Sequence, residues 1–253
     1  MVLIMFKEER ELQFRRYLKT CNDFNELVGL GNPYAKILLV GQESAGRGNA
    51  VDLIRKNIED VTACFNNGDL HKLYNQSRFY PDRVDKNGNR ILNRTWNAYQ
   101  KLIDYIRPEE KRLNDPENTD FCKDAFTTEI NNTVSPHNPP PGIEWKPRID
   151  TFKASEYIKG FPVVILACSH YIQNGEDNWQ INETFDVTFD LTDGAHKYTK
   201  GMSFYTHHNA DRSRLVIHTR QLSQYSDALL RGMAGEIQKH FNEIGESYEA
   251  VCY

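Results

Sequence analysis

The side chains best suited to chemistry in this chain stand where short apolar runs end. Glu43 follows the first run, Asn131 and Asn132 follow the second, Cys168 follows the third and His218 follows the fourth. A carboxylate, two amides and an imidazole around one ligand can offset positive charge, hydrogen-bond a polar edge and offset negative charge. These residue types are typical of a site for acid–base or electrostatic catalysis on a polar substrate.

The four apolar runs predict the strands that position these residues. They cover Lys36–Val40, Ala125–Ile130, Val163–Leu166 and Arg214–Ile217. The long connections between them suit right-handed crossovers, so we expect parallel strands in the order 2-1-3-4. The carboxyl ends of such strands share one edge, where open α/β sheets bind ligands. The predicted fold class is a three-layer α/β/α sandwich with a central four-stranded parallel sheet and a β-hairpin insertion.

Helical periodicity fills most of the intervals between these strands. The predicted helices are Glu8–Leu30, Ala50–Phe65, one from about Asn93, Ile149–Lys159 and one from about Gln224. Alternating residues over Trp179–Asp190 predict a strand that returns over Tyr198–His207 as a hairpin. We expect a single domain over residues 1–253, in which 1–35 form an N-terminal helical extension and 171–212 form the hairpin insertion.

Composition narrows the function classes without choosing one. The chain has 253 residues, 39% hydrophobic and 26% charged, which suffices for one large globular domain. Its net charge of −4 gives no global attraction to nucleic acid or membrane, so contact with a polyanion must be local. Five cysteines without a C-x-x-C pair indicate reduced thiols and a cytoplasmic location. We expect a soluble monomer without membrane contact, cofactor or metal.

Each of these polar residues also has a plain structural interpretation. Glu43 at a helix N-terminus is favourable for the helix dipole, and Asn131 suits an Asx turn. Cys168 suits a small apolar space, and a lone histidine such as His218 is often a hydrogen-bonded edge residue. Ser44 with His218 resembles the start of a hydrolase triad, although the Gly-x-Ser-x-Gly motif is absent.

Four segments in order carry a resemblance to a known family. They are Gly41-Gln42-Glu43, Asn132-Thr133-Val134, Val163 to Cys168, and His218-Thr219-Arg220-Gln221-Leu222-Ser223. A Gly-Gln-acid motif, an Asn-Thr-Val motif, an apolar strand and a His-x-x-x-Leu-Ser motif, in this order, resemble the uracil-DNA glycosylase superfamily. The resemblance spans most of the chain from Lys36 onward and leaves out the N-terminal helix and the hairpin.

This resemblance implies an enzyme that hydrolyses the N-glycosidic bond of uracil or another modified base in DNA. It implies that Glu43 positions water and stabilises the oxocarbenium ion. Asn132, or Asn131 in the alternative register, would bind the base edge. His218 would stabilise the departing uracil anion, and Leu222 would wedge into the stack that the flipped base leaves.

We expect further contacts with base and DNA next to these residues. Gln42 and Cys168 would contribute to the base pocket, and Arg220 and Ser223 would contact DNA beside the wedge. Ala45 stands where the family's better-known form has the tyrosine that blocks a C5 methyl. We therefore expect weak discrimination between uracil and 5-substituted pyrimidines, or acceptance of a larger base.

Three alternatives remain open from the sequence. The first is a glycosylase fold that binds nucleic acid or a nucleotide without cutting it, since the first motif departs from the family's pattern. The second is a small-molecule hydrolase that uses Ser44 and His218. The third is that the polar residues at the strand ends are caps and turns and form no site.

Overall fold

The computed structural model describes residues 2–44, 50–73, 94–113, 119–134, 146–175, 178–198 and 201–249. The α-helices in these ranges are α1 (Val2–Phe24), α2 (Ala50–Asn66), α3 (Arg94–Ile106), α4 (Lys146–Ala154), α5 (Glu156–Lys159), α6 (Gln180–Phe185) and α7 (Asp227–Glu243). The strands are β1 (Leu30–Gly31), β2 (Ile37–Ser44), β3 (Ala125–Val134), β4 (Val163–Leu166), β5 (Asn174–Gly175), β6 (Asn178–Trp179), β7 (Thr188–Phe189), β8 (Ala195–Lys197), β9 (Ser203–His208) and β10 (Leu215–Thr219). The protein is therefore a mixed α/β structure.

Four parallel strands form the centre of the main sheet, side by side as β3, β2, β4 and β10. They correspond to the four apolar runs of the sequence. The prediction of a four-stranded sheet is nevertheless wrong, because the sheet has eight strands in the described part of the chain. The strand β1 pairs with β3 at one edge, β9 and β7 extend the sheet beyond β10, and β8 also pairs with β9. The order 2-1-3-4 is thus not the order of the complete sheet.

Side chains of the central strands alternate between two helical layers, as the two-residue period of a strand requires. Along β2, Leu38 and Val40 pack with α1, α2, α4 and α5, on what we call the α1/α2 face. Ile37 and Leu39 pack with α3 and α7, on the α3/α7 face. All four side chains are fully buried. The helices on both faces hold the strands in place from Ile37 onward.

A buried arginine fixes β3 to the α1/α2 face. Arg148, in α4, pairs with the carboxylate of Glu26 at 2.8 Å. Its guanidinium also donates to the Tyr17 hydroxyl and to Thr128 Oγ1, each at 2.9 Å, and to the backbone carbonyl of Leu27. Both charged side chains are almost completely buried. A buried charge needs such a complete set of partners, so this cluster has a structural role.

The segment between β6 and β7 differs from the prediction. The alternating pattern over Trp179–Asp190 predicted one strand, but α6 occupies its first half, and after Trp179 of β6 only Thr188–Phe189 belong to a strand. Ile181 and Phe185 are buried side chains of that helix. These two residues are four positions apart, a spacing that one face of a helix satisfies as well as an alternating strand does. The returning strand β9 pairs with β10 and so becomes part of the main sheet.

Two helix boundaries also differ from the prediction. The first helix runs over Val2–Phe24 instead of Glu8–Leu30, since Asn25 has a left-handed φ of 53° and ends it. The predicted helix Ile149–Lys159 is two helices that are separated at Ser155, whose hydroxyl caps α5 by accepting from the backbone N–H of Ile158. None of the described helices is long and apolar enough to cross a membrane.

Candidate functional site

The backbone register places the predicted site residues at the carboxyl edge of the parallel strands. On β2 and β3, Gly41 lies opposite Glu129 and Glu43 lies opposite Asn131. This edge is where ligands bind in open α/β sheets. The register therefore brings an acidic position and an amide onto neighbouring strands at the expected place.

The structure describes some of the predicted base-binding residues of the first and second motifs more fully than others. Asn131 is 2% exposed and Gln42 is half-buried. The side chains of Glu43 and Asn132 lie outside the described residues, although their backbone belongs to β2 and β3. Ala45 also lies outside the described residues, so its proximity to a base stays a prediction.

His218 lies near the same edge but is already engaged within the protein. Its Nε2 is 2.8 Å from the backbone carbonyl of Ser169. A carbonyl oxygen only accepts, so Nε2 carries the proton and Nδ1 is the acceptor of the neutral ring. Burial lowers the pKa of His218, and the hydrogen bond to Ser169 opposes this effect in part. The ring is therefore neutral at pH 7, and its one N–H is directed at Ser169 in this conformation.

Strand geometry separates His218 from position 43. His218 is in register with Leu166, which is in register with Val40, three residues before Glu43. A rise of ~3.3 Å per residue and a spacing of ~4.8 Å between strands put their Cα atoms about 14 Å apart. Positions 41 and 43 lie on the same face of β2, the α3/α7 face. His218 lies on the opposite α1/α2 face of the sheet, two residues after Val216. A ligand that contacts both must lie across the strand ends.

The same register argues against the hydrolase alternative. Ser44 is one residue further along β2, in register with Val134 after a shift in the β2–β3 pairing. Its Cα is about 16 Å from that of His218 by the same strand dimensions. A serine nucleophile and its histidine base must be within direct hydrogen-bond reach of each other. This separation exceeds that reach.

The burial of Leu222 argues against its predicted wedge role. Leu222 is fully buried and packs with α3 and α7 on the α3/α7 face. A wedge must be exposed to enter a base stack, so Leu222 serves the core instead. Its neighbours are accessible: Arg220 donates to Gln224 Oε1 at 2.7 Å, and Ser223 donates to Gln221 Oε1 at 3.2 Å. DNA contact by Arg220 and Ser223 stays a prediction.

Burial also argues against the predicted base contact of Cys168. Cys168 is fully buried in the core of the α1/α2 face. Burial raises the pKa of its thiol, and the nearby carboxylate of Glu129 raises that pKa further. A thiol in these surroundings stays protonated and inert, which agrees with the plain structural interpretation of Cys168.

Glu129 is a residue at this edge that the sequence patterns did not single out. It is half-buried, and its carboxylate lies so close to Gly41 that a Cβ on residue 41 would overlap it. The same carboxylate is near Tyr99 of α3 and near Cys168. The sequence signal that could have identified Glu129 is an acidic residue among the aliphatic and threonine residues of a buried strand.

A cleft of about 190 Å³ lies elsewhere, between α1 and α5. Two of its polar lining side chains already have partners within the protein. The Tyr17 hydroxyl donates to the Val28 carbonyl at 3.1 Å, and Thr151 Oγ1 donates to Glu26 at 3.1 Å. This cleft therefore offers few convergent polar groups to a ligand, in contrast to the carboxyl edge of the sheet.

Comparisons with known proteins leave the family resemblance untested. No family model matches the chain, and neither a curated protein nor a solved structure matches it. Function must therefore be argued from the residues at the carboxyl edge.

Proposed function

We propose that the protein hydrolyses the N-glycosidic bond of uracil or another modified base in single-stranded DNA. The observation that carries the proposal is the register of Glu43 opposite Asn131 at the carboxyl edge of β2 and β3. An acidic residue and an amide on neighbouring strands suit the two halves of a nucleotide. The amide has the donor and acceptor that bind a base edge, and the carboxylate offsets charge on the sugar.

The chemistry requires negative charge beside the sugar. As the glycosidic C–N bond breaks, its electron pair leaves with the base and positive charge develops on the sugar. Water then bonds to the anomeric carbon, and one of its protons ends on the base nitrogen. A carboxylate that is held in place lowers the energy of the cationic state without reorganising, which is typically worth about 10²-fold in rate.

The preference for single-stranded DNA follows from the burial of Leu222. Flipping a base out of a duplex costs a few kcal/mol, and a side chain that fills the gap offsets part of this cost. Leu222 is fully buried and does not fill it in this conformation. A base that is already unstacked avoids the cost. We place this activity in a cytoplasmic monomer that holds the DNA backbone through local contacts such as Arg220.

A gel assay of base excision tests the proposal. Single-stranded and duplex oligonucleotides that contain uracil, hypoxanthine or a thymine mismatch are incubated with the protein, and abasic sites are cleaved with alkali. We expect excision of at least one base, faster from single strands, and about a 10²-fold loss in Glu43→Gln. The matched control is Glu59→Gln, which removes the same charge from an exposed position of α2. Equal rates in both variants would contradict the role of Glu43.

The hydrogen bond of His218 favours a second candidate, a module that binds nucleotides without cutting them. The resemblance gives His218 the task of donating to the departing base, but its N–H is directed at Ser169. Without a donor, the negative charge of the leaving base is not stabilised. Binding to the oligonucleotides with no excision of any base would favour this candidate.

A further inference from the structure

The carboxylate of Glu129 lies against a glycine of the neighbouring strand. It lies on the α3/α7 face of β3, in register with Gly41 of the neighbouring strand. Its carboxylate occupies the space that a side chain of residue 41 would fill. Any other residue at position 41 would have to displace the carboxylate, so the glycine lets a charged group lie across β2 at the edge where the proposed substrate binds.

The carboxylate affects two neighbours from different elements. Burial raises the pKa of the Tyr99 hydroxyl, and Glu129 raises it further. Burial and then Glu129 also raise the pKa of the Cys168 thiol. Tyr99 belongs to α3, and Cys168 follows β4. Negative charge from Glu129 therefore reaches the space between β3, the end of β4 and α3.

We propose that Glu129 is a second catalytic carboxylate of this site and acts on the substrate together with Glu43. The inference rests on the proposed function. Glu43 and Glu129 are diagonal neighbours on adjacent strands, with Cα atoms about 8 Å apart by standard strand dimensions. Two carboxylates that flank one sugar are the recurrent arrangement for glycosidic bond cleavage.

The two carboxylates divide the work of one hydrolysis. Glu129 adds to the negative charge of Glu43 and so offsets more of the positive charge of the sugar while the C–N bond breaks and its electron pair moves onto the base nitrogen. Glu43 accepts a proton from the water molecule whose oxygen bonds to the anomeric carbon. That proton then passes to the base nitrogen, so the products are the free base and a sugar hydroxyl. The negative charge of Glu129 stays unchanged throughout.

A binding measurement with a cationic probe tests Glu129 without requiring turnover. The probe is a single-stranded oligonucleotide with a pyrrolidine in place of one deoxyribose, and its neutral match carries tetrahydrofuran at the same position. We expect the native protein to bind the cationic probe about tenfold more tightly. Glu129→Gln should abolish this preference, and Glu59→Gln should keep it. Glu129→Asp, which retains the charge, should restore part of it.

A second variant shifts the carboxylate without removing it. Gly41→Ala adds a methyl group where the carboxylate now lies and should also reduce the preference for the cationic probe. Thermal unfolding of each variant identifies any that fail to fold. A folded Glu129→Gln protein that keeps the full preference overturns the inference, as does a native protein with no preference.

Excision assays on the same proteins separate this inference from the proposed function. If the native protein excises a base and Glu129→Gln does so equally well, the function stands and Glu129 is not catalytic. The native protein could also excise nothing and yet prefer the cationic probe, with Glu129→Gln lacking this preference. The proposed hydrolysis then fails, and Glu129 still marks a site for a cationic ligand. Loss of both properties in Glu129→Gln supports the inference.

Discussion

Thr128 and Glu129 are consecutive residues of β3 with opposite surroundings. Thr128 faces the α1/α2 layer and accepts a hydrogen bond from Arg148, whose charge is balanced by Glu26 deep in the core. Glu129 faces the α3/α7 layer; the residue is half-buried, and its carboxylate lies beside Gly41 with Oε2 buried. One strand thus carries a closed ionic cluster on one face and, on the other, a carboxylate near the carboxyl edge of the parallel strands.

The difference teaches how to separate structural charges from functional ones. Arg148 is 1% exposed and surrounded by bonding partners, so solvent and ligands do not reach it. Glu129 is close to the ends of the parallel strands, and a glycine on the next strand leaves room for it. Structural charge should therefore be measurable as stability, and functional charge as rate or affinity at nearly constant stability. The following predictions test this distinction.

Arg148→Met is expected to have the largest effect on stability. It removes the guanidinium and leaves Glu26 as a buried charge without its ionic partner. Breaking a buried pair in this way costs about 3–5 kcal/mol of unfolding free energy. Urea denaturation followed by circular dichroism measures the loss. A loss below about 1 kcal/mol would show that the cluster is not the closed structural element described above.

The matched control for Arg148 lies on the same helix. Lys146→Met removes a cation whose pair with Asp150 spans 2.9 Å but is exposed on both sides, at 76% and 59%. Exposed pairs of this kind contribute at most about 1 kcal/mol. Similar losses of unfolding free energy in both variants would mean that α4 tolerates neither substitution. The loss in Arg148→Met would then not show a structural role of the buried pair.

Leu222→Ala is expected to destabilise the α3/α7 face by about 2–5 kcal/mol, as large-to-small substitutions in a core do. Excision per folded molecule should then fall equally on single-stranded and duplex substrates. Leu191→Ala, at a position that is 91% exposed, serves as the control and should be nearly neutral. A loss that is specific to duplex DNA, with unchanged stability, would restore the wedge role and contradict the burial of Leu222.

The protein should lose stability as the pH falls from about 6.5 to 5. Burial lowers the pKa of His207 to about 4, and burial and then His208 lower the pKa of His240 to about 4. Unfolded histidines titrate near 6.5, so below that pH the unfolded chain binds protons that the folded chain excludes. Each histidine contributes up to ~1.4 kcal/mol per pH unit.

Urea midpoints at pH 7, 6 and 5 measure this dependence. His240→Gln should flatten it, because glutamine does not bind a proton in this range. Constant stability between pH 7 and 5 would contradict the lowered pKa of these buried rings. Excision rates that are corrected for the folded fraction should change little in His240→Gln, since His240 lies beside His208 and Pro162, away from the carboxyl edge.

The parallel centre of the fold was predictable because each strand is an apolar run that ends at polar residues. Val163–Leu166 is fully buried on both faces and has no competing pattern. The segment with α6 was not predictable from periodicity, since Ile181 and Phe185 fit either a helix or a strand. The short strands β1 and β8 have two and three residues and carry too little pattern to be recognised, whereas β9 lies largely within the predicted returning strand.

The candidate site was predictable only in part. Residues at strand ends identify an edge, so Glu43 and Asn131 were found together. The bond of His218 to Ser169 and the burial of Leu222 depend on where distant segments pack, which spacing does not encode. Glu129 was missed because an acidic residue in a strand is normally a solvent-facing position.

The most direct test compares Glu129→Gln with Glu59→Gln in both stability and single-turnover excision from single-stranded DNA. We predict that each variant changes the free energy of unfolding by less than about 1 kcal/mol, since each replaces a carboxylate by an amide of nearly the same size. We also predict that the excision rate falls about 10²-fold in Glu129→Gln alone. An unchanged rate in Glu129→Gln, or a fall that the loss of folded protein explains, would contradict a functional carboxylate on this face of β3.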